Sequence, residues 1–533
     1  MATRWFMEAK AASQAPSGAR AASMVGLGIL LSRIMGLVRE TVFAHYFGSA
    51  PAADAVKAAF RIPNLLQNLF GEGALSASFI PVYAGLLARG EQREADRVAG
   101  AVASLLAVAV SVLVLVGVLA TPLIIDAIAP GFTGERRALT IQLVRIFFPG
   151  AGLLAMSAWC LGVLNSHRRF LLSYASSAVA NVVMIVTLLV GGPGTAVEHL
   201  AVIYAWGSVL ASAVTFGVQL PVVLRVAPAI RLRWDTASSE VRTVARNFGP
   251  AFVSRGVVQL SSYVDQFLAS WLPVGSVALL GYGQILSMLP VSLFGVAVSA
   301  AELPSMSGAT GTSDEIAAYL RGRLEDGLGR IAFLVVPSAM AFLVLGNVMA
   351  SLLFQSGRFT AADANWVWAI LAGSAVGLLA STLGRLYSST YFALRDTRTP
   401  LRYAVVRVAL TTVLGALCAF PVPHWLGVDQ RWGMAGLTAS AGVAGWVEFT
   451  LLRRTLNQRI GPTGLAGSLV ARLWGAAVVA AVAAGAVEYW LRAPSRAWAV
   501  LVLAVYGAVY LAVTAALGVG DTAALGRRLK RYI

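Results

Sequence analysis

Long apolar runs separated by short polar links dominate the pattern of this chain. A helix needs about 20 mostly apolar residues to cross a bilayer, and about fourteen such runs follow one another. Strands of a membrane β-barrel would instead alternate polar and apolar residues. The pattern therefore predicts an all-α integral membrane protein. The predicted spans cover roughly 22–46, 54–87, 98–125, 139–165, 171–191, 199–224, 246–271, 275–302, 330–354, 364–391, 402–421, 433–452, 466–490 and 497–518.

Composition supports a bilayer environment. Hydrophobic residues make up 58% of the 533 positions and charged residues only 12%, about half the share typical of soluble domains. The net charge of +17 would suggest nucleic acid in a soluble protein, but no polar stretch is large enough for a nucleic-acid-binding fold. We therefore expect no nucleic-acid partner, and interpret the basic residues as topology signals beside anionic membrane lipids.

The distribution of Lys and Arg predicts the orientation. With the N-terminus inside, 26 of the 41 basic residues fall in inside segments and 6 in outside links, as the positive-inside rule requires. The chain is thus expected to be a multi-pass protein of a bacterial inner membrane, with both termini cytoplasmic. Every outside link is short, so we expect no extracytoplasmic catalytic domain and no enzyme activity.

The longest inside link divides the chain into two predicted lobes, spans 1–6 and 7–12, followed by two C-terminal spans. Such a plan is common among secondary transporters. The predicted segments are a cytoplasmic tail (1–21), an N-lobe (22–226), a cytoplasmic linker (227–245), a C-lobe (246–455), a C-terminal helix pair (466–518) and a basic cytoplasmic tail (519–533).

A polar stripe runs along the second span. Its members are spaced so that they share one helix face: Asp54, Lys57, Arg61, Asn64 and Asn68. Arg33 and Arg39 lie in span 1, and Arg255 lies in span 7 with no acid within a turn. Pro63 is expected to bend or break the second span.

Two interpretations of these charges stay open at this point. They form an ion-pair lattice that holds helices together, or they line a water-filled substrate cavity. The excess of cations favours the cavity, because guanidinium groups bind phosphate oxygens in pairs. A pyrophosphate is therefore the expected anion.

Asp265 is a second intramembrane charge, in span 7. It either binds a coupling cation or proton, or pairs with Arg407. No lysine ends a phosphate-binding GxxxxGK[ST] loop and the four histidines are scattered, so we expect neither ATP hydrolysis nor a metal centre.

Several stretches resemble the MurJ (MviN) family of lipid II flippases. The strongest match runs from Phe60 to Pro81 (FRIPNLL, FGEGALS, FIP), after Ser32–Glu40 (SRIMGLVRE). Further similar stretches are Leu289–Pro304, Phe354–Thr360 (FQSGRFT) and Tyr391–Pro400 (YFALRDTRTP). The resemblance spans about residues 22–460.

The resemblance implies a MOP-type transporter fold with a central cavity, and export of lipid II, the undecaprenyl-pyrophosphate-linked peptidoglycan precursor, by alternating access. It implies that Arg33, Arg39, Asp54 and Asn64 contact the substrate, and from the residues we add Arg61 and Arg255. The last two helices are expected to form a groove for the lipid tail. Membrane lipids and cell-wall synthesis proteins are further expected partners.

Some positions depart from the family pattern. Two family arginines fall on Gln67 and Ile285, and we hypothesise that Arg255 restores the lost charge. Asp265 aligns with a sodium-site aspartate of some members, whose partners fall here on Thr411 and Gly415, with Arg407 a turn away. An arginine there would compete with a cation, so coupling to the membrane potential, to H⁺ or to Na⁺ stays open, and no cofactor is expected.

Other functions are less consistent with the sequence than export of lipid II. The nearest alternative is a flippase for another polyprenyl-linked saccharide, such as an O-antigen unit. A drug or cation antiporter would need acidic cavity residues, and a membrane glycosyltransferase would need carboxylates in a large outside loop. A silent scaffold would tolerate charge substitutions in spans 1 and 2.

Overall fold

The computed structural model describes residues 31–167, 169–235, 238–260, 263–491 and 496–519, and the regular elements in this part are helices. Ten of the described helices are long and apolar enough to cross a membrane. The predicted all-α membrane class is confirmed, while the count of fourteen spans stays a prediction. The chain divides into two compact units, residues 1–267 (unit 1) and 268–533 (unit 2). The predicted domain boundaries stay predictions.

Unit 1 is built around α5, which packs against α2, α4 and α7 and is buried along most of its apolar stretch. Its helices are α1 (31–47), α2 (Pro51–Gln67), a π-helical segment (Asn68–Leu75), α3 (Ser76–Ala88), α4 (Gln92–Ile128), α5 (Gly134–Ser166), α6 (Phe170–Gly191), α7 (Val197–Val226) and α8 (Ser239–Leu260). The short helix α9 (Val264–Ala269) contains the division between the units.

The expected break at Pro63 does not occur there. Helix α2 continues through Pro63 to Gln67, and the wider π-helical hydrogen bonding begins at Asn68. A proline removes only one N–H donor from the helix, and α2 tolerates that loss. The change comes where the sequence carries Gly71 and Gly73, whose backbones are the least restricted.

Unit 2 is built around α14, the most deeply buried of its long helices. The helices are α10 (Ser276–Pro290), a π-helical segment (Val291–Val296), α11 (Ala297–Ser307), α12 (Ser313–Val344), α13 (Gly346–Phe354), α14 (Ala361–Ala393), α15 (Arg398–Ala419), α16 (Pro421–Leu426), a 3₁₀ turn (Gln430–Trp432), α17 (Gly433–Ile460), α18 (Gly467–Leu491) and α19 (Arg496–Ala516).

Glycines let α14 and α17 touch backbone to backbone. An added Cβ on Gly377 would lie 2.2 Å from the Cα of Gly442. Helix association in lipid gains little from hydrophobicity and depends on such close packing of small residues. The pair therefore fixes how these two helices meet.

Replacing Gly377 with alanine should lower the stability of unit 2. The new methyl group meets backbone that cannot move aside, and overpacking of this kind costs about 1–3 kcal/mol. Gly384→Ala, on the same helix, is the matched control, since its Cβ would meet only a leucine methyl at 4.0 Å. Apparent melting temperatures in detergent measure the difference, and equal values for the two variants would contradict the packing assignment.

Helix α19 is hydrogen-bonded to α12 at a proline. Pro337 has no N–H, so the carbonyl of Phe333, four residues earlier, loses its usual helical donor. The Tyr510 hydroxyl donates to Phe333 O at 2.7 Å, and the Tyr506 hydroxyl donates to Pro337 O at 2.7 Å. Tyr510 thus satisfies the one backbone oxygen that the proline deprives of its helical donor, and Tyr506 adds a second hydrogen bond between the two helices.

The first part of the segment between α7 and α8 is bound to the start of α4. Arg97 Nε donates to Asp235 Oδ2 at 2.7 Å. Gly100 lies so close to the chain that an added Cβ would sit 2.2 Å from the carbonyl oxygen of Arg231. The segment is therefore an ordered connection on the surface of unit 1.

The turn between α14 and α15 is organised by Asp396. The Thr399 hydroxyl donates to Asp396 Oδ2 at 2.7 Å, and the Thr399 N–H donates to Oδ1 at 3.0 Å. These bonds, and then Arg459 at 2.8 Å, hold the pKa of Asp396 down to about 2. This part of the Tyr391–Pro400 stretch therefore has a structural role.

Candidate functional site

Two membrane cations share one carboxylate where α1 meets α2. Glu40 accepts a hydrogen bond from Arg39 Nη2 at 2.7 Å, and Lys57 Nζ donates to its other oxygen. The Glu40 side chain is only 7% exposed, with 19% for Arg39 and 16% for Lys57. Desolvated charges of this kind are normally matched one to one, whereas the three described side chains together carry one net positive charge.

Aromatic and sulfur groups cover this excess charge without neutralising it. Lys57 Nζ lies 4.6 Å from the ring centre of Phe43, and Arg39 Cζ lies 5.5 Å from that of Phe60. Arg39 Nη1 donates to Met184 Sδ at 3.8 Å, while its buried Nε has no hydrogen-bond partner. Cation–π contacts stabilise a cation in a dry site, and the guanidinium keeps donor capacity for an incoming anion.

Asp54 is fully buried and paired with Arg136, from the first turn of α5. Arg136 Nη1 lies 3.3 Å from Asp54 Oδ2 and Nη2 donates to Gly131 O at 3.0 Å. Its guanidinium also lies 4.1 Å above the Phe132 ring. In this conformation Asp54 is not accessible to a ligand. Arg136 falls in the outside link between the predicted spans 98–125 and 139–165, and the sequence does not predict the pair, because nothing local connects residues 82 positions apart.

Exposure rises along the polar stripe of α2. Asp54 is buried and Lys57 and Arg61 are partly exposed, whereas Asn64 and Gln67 are exposed. Arg61 interacts electrostatically with Asp265, and its carbonyl accepts a hydrogen bond from Tyr263 at 2.8 Å. The open part of the stripe is therefore its second half.

Arg33 does not join the Arg39 cluster in the described structure. Arg33 is exposed on α1, next to Ser32, whose hydroxyl donates to Ser177 at 2.9 Å. In the described part of the chain Arg33 takes part in no ion pair. The side chain of Arg255 lies outside the described residues, so its proposed compensation for Gln67 and for the half-buried Ile285 stays a hypothesis.

The residues considered for cation coupling have other partners. Asp265 interacts with Arg61, and Arg407 Nε lies 3.2 Å from Glu448 Oε2. Thr411, one turn beyond Arg407 on α15, is partly exposed. Among the described residues no group of three His, Cys, Asp or Glu could hold a metal ion.

The charged stripe therefore agrees in part with an ion-pair lattice and in part with a substrate cavity. Glu40 and Asp54 hold an ion-pair lattice together. The lattice nevertheless contains one carboxylate for both Arg39 and Lys57, and it continues into the exposed Asn64. What remains is a basic, partly accessible surface on membrane helices, which can bind an oxyanion.

Solved structures with a similar fold are transporters. A chain described as lipid II flippase MurJ in an inward closed conformation matches with a TM-score of 0.76 at 21% identity, over 92% of this chain and 98% of that one. An inward-facing multidrug resistance MATE family transporter of the MOP superfamily matches with a TM-score of 0.64 at 16% identity, over 82% and 98%. The predicted MOP-type fold is confirmed.

Sequence comparisons identify the family. The model for lipid II flippase MurJ matches residues 43–509. The lipid II flippase MurJ of Burkholderia cenocepacia is 32% identical over 81% of this chain and 82% of its own length. The probable lipid II flippase MurJ of Rhizobium meliloti is 30% identical over 95% of both chains. Since the family model covers most of the chain and relatives of 30% identity or more match over four fifths of it or more, the protein belongs to the MurJ family of lipid II flippases.

Proposed function

We propose that this protein moves lipid II, the undecaprenyl-pyrophosphate-linked peptidoglycan precursor, from the inner to the outer leaflet of the bacterial inner membrane. The observation that carries the proposal is the cluster in which Arg39 and Lys57 share Glu40. Family membership makes the protein a multi-pass transporter that serves peptidoglycan and cell-wall synthesis. The likeness to a multidrug transporter shows the fold alone.

The cluster suits a pyrophosphate for electrostatic reasons. A surplus cation among buried side chains is unfavourable until an anion arrives, and Arg presents paired donors that match phosphate oxygens. Arg39 and Lys57 would contact phosphate while Glu40 keeps them oriented. Arg33, Arg61 and Asn64 would extend polar contacts towards the head group, with Arg255 as a further contact. Asp54 would join them only after its bond to Arg136 opens.

Transport by alternating access needs an energy source to make it directional. We propose the membrane potential, because a net charge crossing the bilayer exchanges ~2.3 kcal/mol per charge per 100 mV. The electrostatic interaction of Asp265 with Arg61 and the Arg407–Glu448 ion pair make these side chains less suited to Na⁺. Transport assays with sodium present or absent, and with the potential collapsed, separate potential coupling from coupling to Na⁺ or H⁺ at Asp265 and Thr411.

Topology and partners complete the proposal. Both termini would face the cytoplasm, as the distribution of basic residues indicates, and helices α18 and α19 would accommodate the lipid tail. Cell-wall synthesis proteins are the expected protein partners, because they use the exported precursor. Reporter fusions at each terminus test the topology.

A complementation experiment tests the function. The chain is expressed in a bacterium whose own lipid II flippase can be depleted, and cytoplasmic-leaflet lipid II is measured. The wild type should prevent lipid II accumulation. Arg39→Gln should reduce rescue at least tenfold, since one charge-assisted hydrogen-bond set is lost (~1.5–3 kcal/mol). Arg145→Gln, at an exposed arginine of α5, is the control and should rescue fully.

The outcome also separates the alternatives. Accumulation of another polyprenyl-linked glycan, with lipid II unchanged, would favour a flippase for that saccharide. Full rescue by Arg39→Gln at normal protein level would contradict the proposed role of the cluster.

A further inference from the structure

A second charged cluster lies in unit 2. Arg407 of α15 pairs with Glu448 of α17, with 3.2 Å between Nε and Oε2. Arg385 of α14 interacts electrostatically with both. In the described part of the chain no carboxylate oxygen lies within 4 Å of the Arg385 guanidinium. Two arginines therefore share one acid, on three different helices.

The three side chains occupy the same level of the membrane helices. Counted from Ala393, Arg398 and Ile460, they lie about 12–18 Å along their helices at 1.5 Å per residue. Tyr403 hydrogen-bonds Thr455 at 2.7 Å on one side of this level. All three helices are long and apolar enough to cross a membrane, so charged side chains on them need polar or ionic partners.

Helix packing explains only part of the cluster. The Arg407–Glu448 pair joins α15 to α17, and a purely structural bridge needs nothing more. Arg385 adds a second positive charge beside this pair, where like charges repel and an unmatched cation is costly. Arg385 is exposed and the Arg407 side chain is 40% exposed. Both guanidinium groups are thus accessible to a ligand.

We propose that Arg385 and Arg407 form a second oxyanion site, which binds the phosphate of a membrane lipid. Glu448, with a side chain only 18% exposed, orients Arg407 and supplies the countercharge when the site is empty. Guanidinium groups on neighbouring helices can each donate two hydrogen bonds to one phosphate. The phosphate comes either from the transported polyprenyl pyrophosphate, which rests on the proposed function, or from a bulk anionic phospholipid.

Lipid binding to the full-length protein tests the site. The protein is placed in phosphatidylcholine nanodiscs, and bound lipids are counted by native mass spectrometry. Undecaprenyl pyrophosphate is titrated in one arm and phosphatidylglycerol in the other. All variants carry Arg39→Gln, which leaves Lys57 paired with Glu40 and weakens the cluster in unit 1.

On that background Arg385→Gln should weaken binding about tenfold in at least one arm, because a charge-assisted hydrogen-bond set is lost. The affected arm identifies the source of the phosphate. Arg472→Gln, at an exposed arginine of α18, should change binding less than twofold. Arg407→Lys, which keeps the charge but loses the paired donors, should have an intermediate effect. The melting temperature of lipid-free Arg385→Gln should match the parent, unlike that of a structural residue.

Equal binding by Arg385→Gln and Arg472→Gln in both arms would overturn the second site. If Arg39→Gln alone removes all undecaprenyl pyrophosphate binding, only the cluster in unit 1 takes the substrate and the proposed function stands. If neither Arg39→Gln nor Arg385→Gln affects binding, both proposals fail.

Discussion

Glu40→Gln should be among the most destabilising single substitutions in this protein. Glutamine keeps the size of the side chain but removes the one charge that Arg39 and Lys57 share. The two cations would then face each other in a desolvated site. Removing one member of a buried ion pair costs about 3–5 kcal/mol. The apparent melting temperature of the purified protein in detergent measures the loss.

Arg39→Gln provides the comparison, since it leaves Lys57 and Glu40 as a balanced pair. It should retain most of the stability while losing transport, whereas Glu40→Gln should lose both. Wild-type stability for Glu40→Gln would show that the two cations have another source of neutralisation. The order of the two variants in stability is therefore as informative as the size of either effect.

Asp54→Asn should have the second large effect. It leaves the largely buried Arg136 guanidinium, among the described residues, with Gly131 O and the Phe132 ring, so we expect a loss of about 3 kcal/mol. Arg136→Gln should cost a similar amount, because Asp54 would be left fully buried. The double variant should lose less than the sum of the singles, by about 1–3 kcal/mol.

This double-mutant cycle is measured by denaturation of the three variants and the wild type under one set of conditions. Purely additive losses would mean that the two side chains act independently, against the 3.3 Å contact. A transport assay on the same variants would also show whether the Asp54–Arg136 pair opens during the transport cycle. If the pair must open, Arg136→Gln should lower stability strongly but reduce transport less.

The helices were predictable because each long apolar run has to satisfy its own backbone in lipid. Runs such as Ala361–Ala393 and Arg398–Leu426 meet length and apolarity criteria without further information. Helix α2 carries Asp54, Lys57 and Arg61, which lower the hydropathy of an otherwise apolar run. The helices that carry the chemistry are thus the ones that apolarity identifies least well.

The site was predictable only along a single helix. The spacing of Asp54, Lys57, Arg61 and Asn64 places them on one face, but periodicity says nothing about partners on other helices. Glu40 and Lys57 meet because α1 and α2 are joined by a tight turn. Arg136 reaches Asp54 only through the packing of α5 against α2. Tertiary packing decides which charges are neutralised.

The hydrogen bonds of Tyr506 and Tyr510 to the proline of α12 have a mechanical consequence. Helix α12 can bend at Pro337 only if both hydroxyls break their hydrogen bonds to the carbonyl oxygens or move together with them. Release of Tyr510 would leave the Phe333 oxygen without a donor in a medium without water, so joint movement of the two helices is favoured. Motion of α12 at Pro337 would therefore move α19 with it, and the two helices would behave as one mechanical unit.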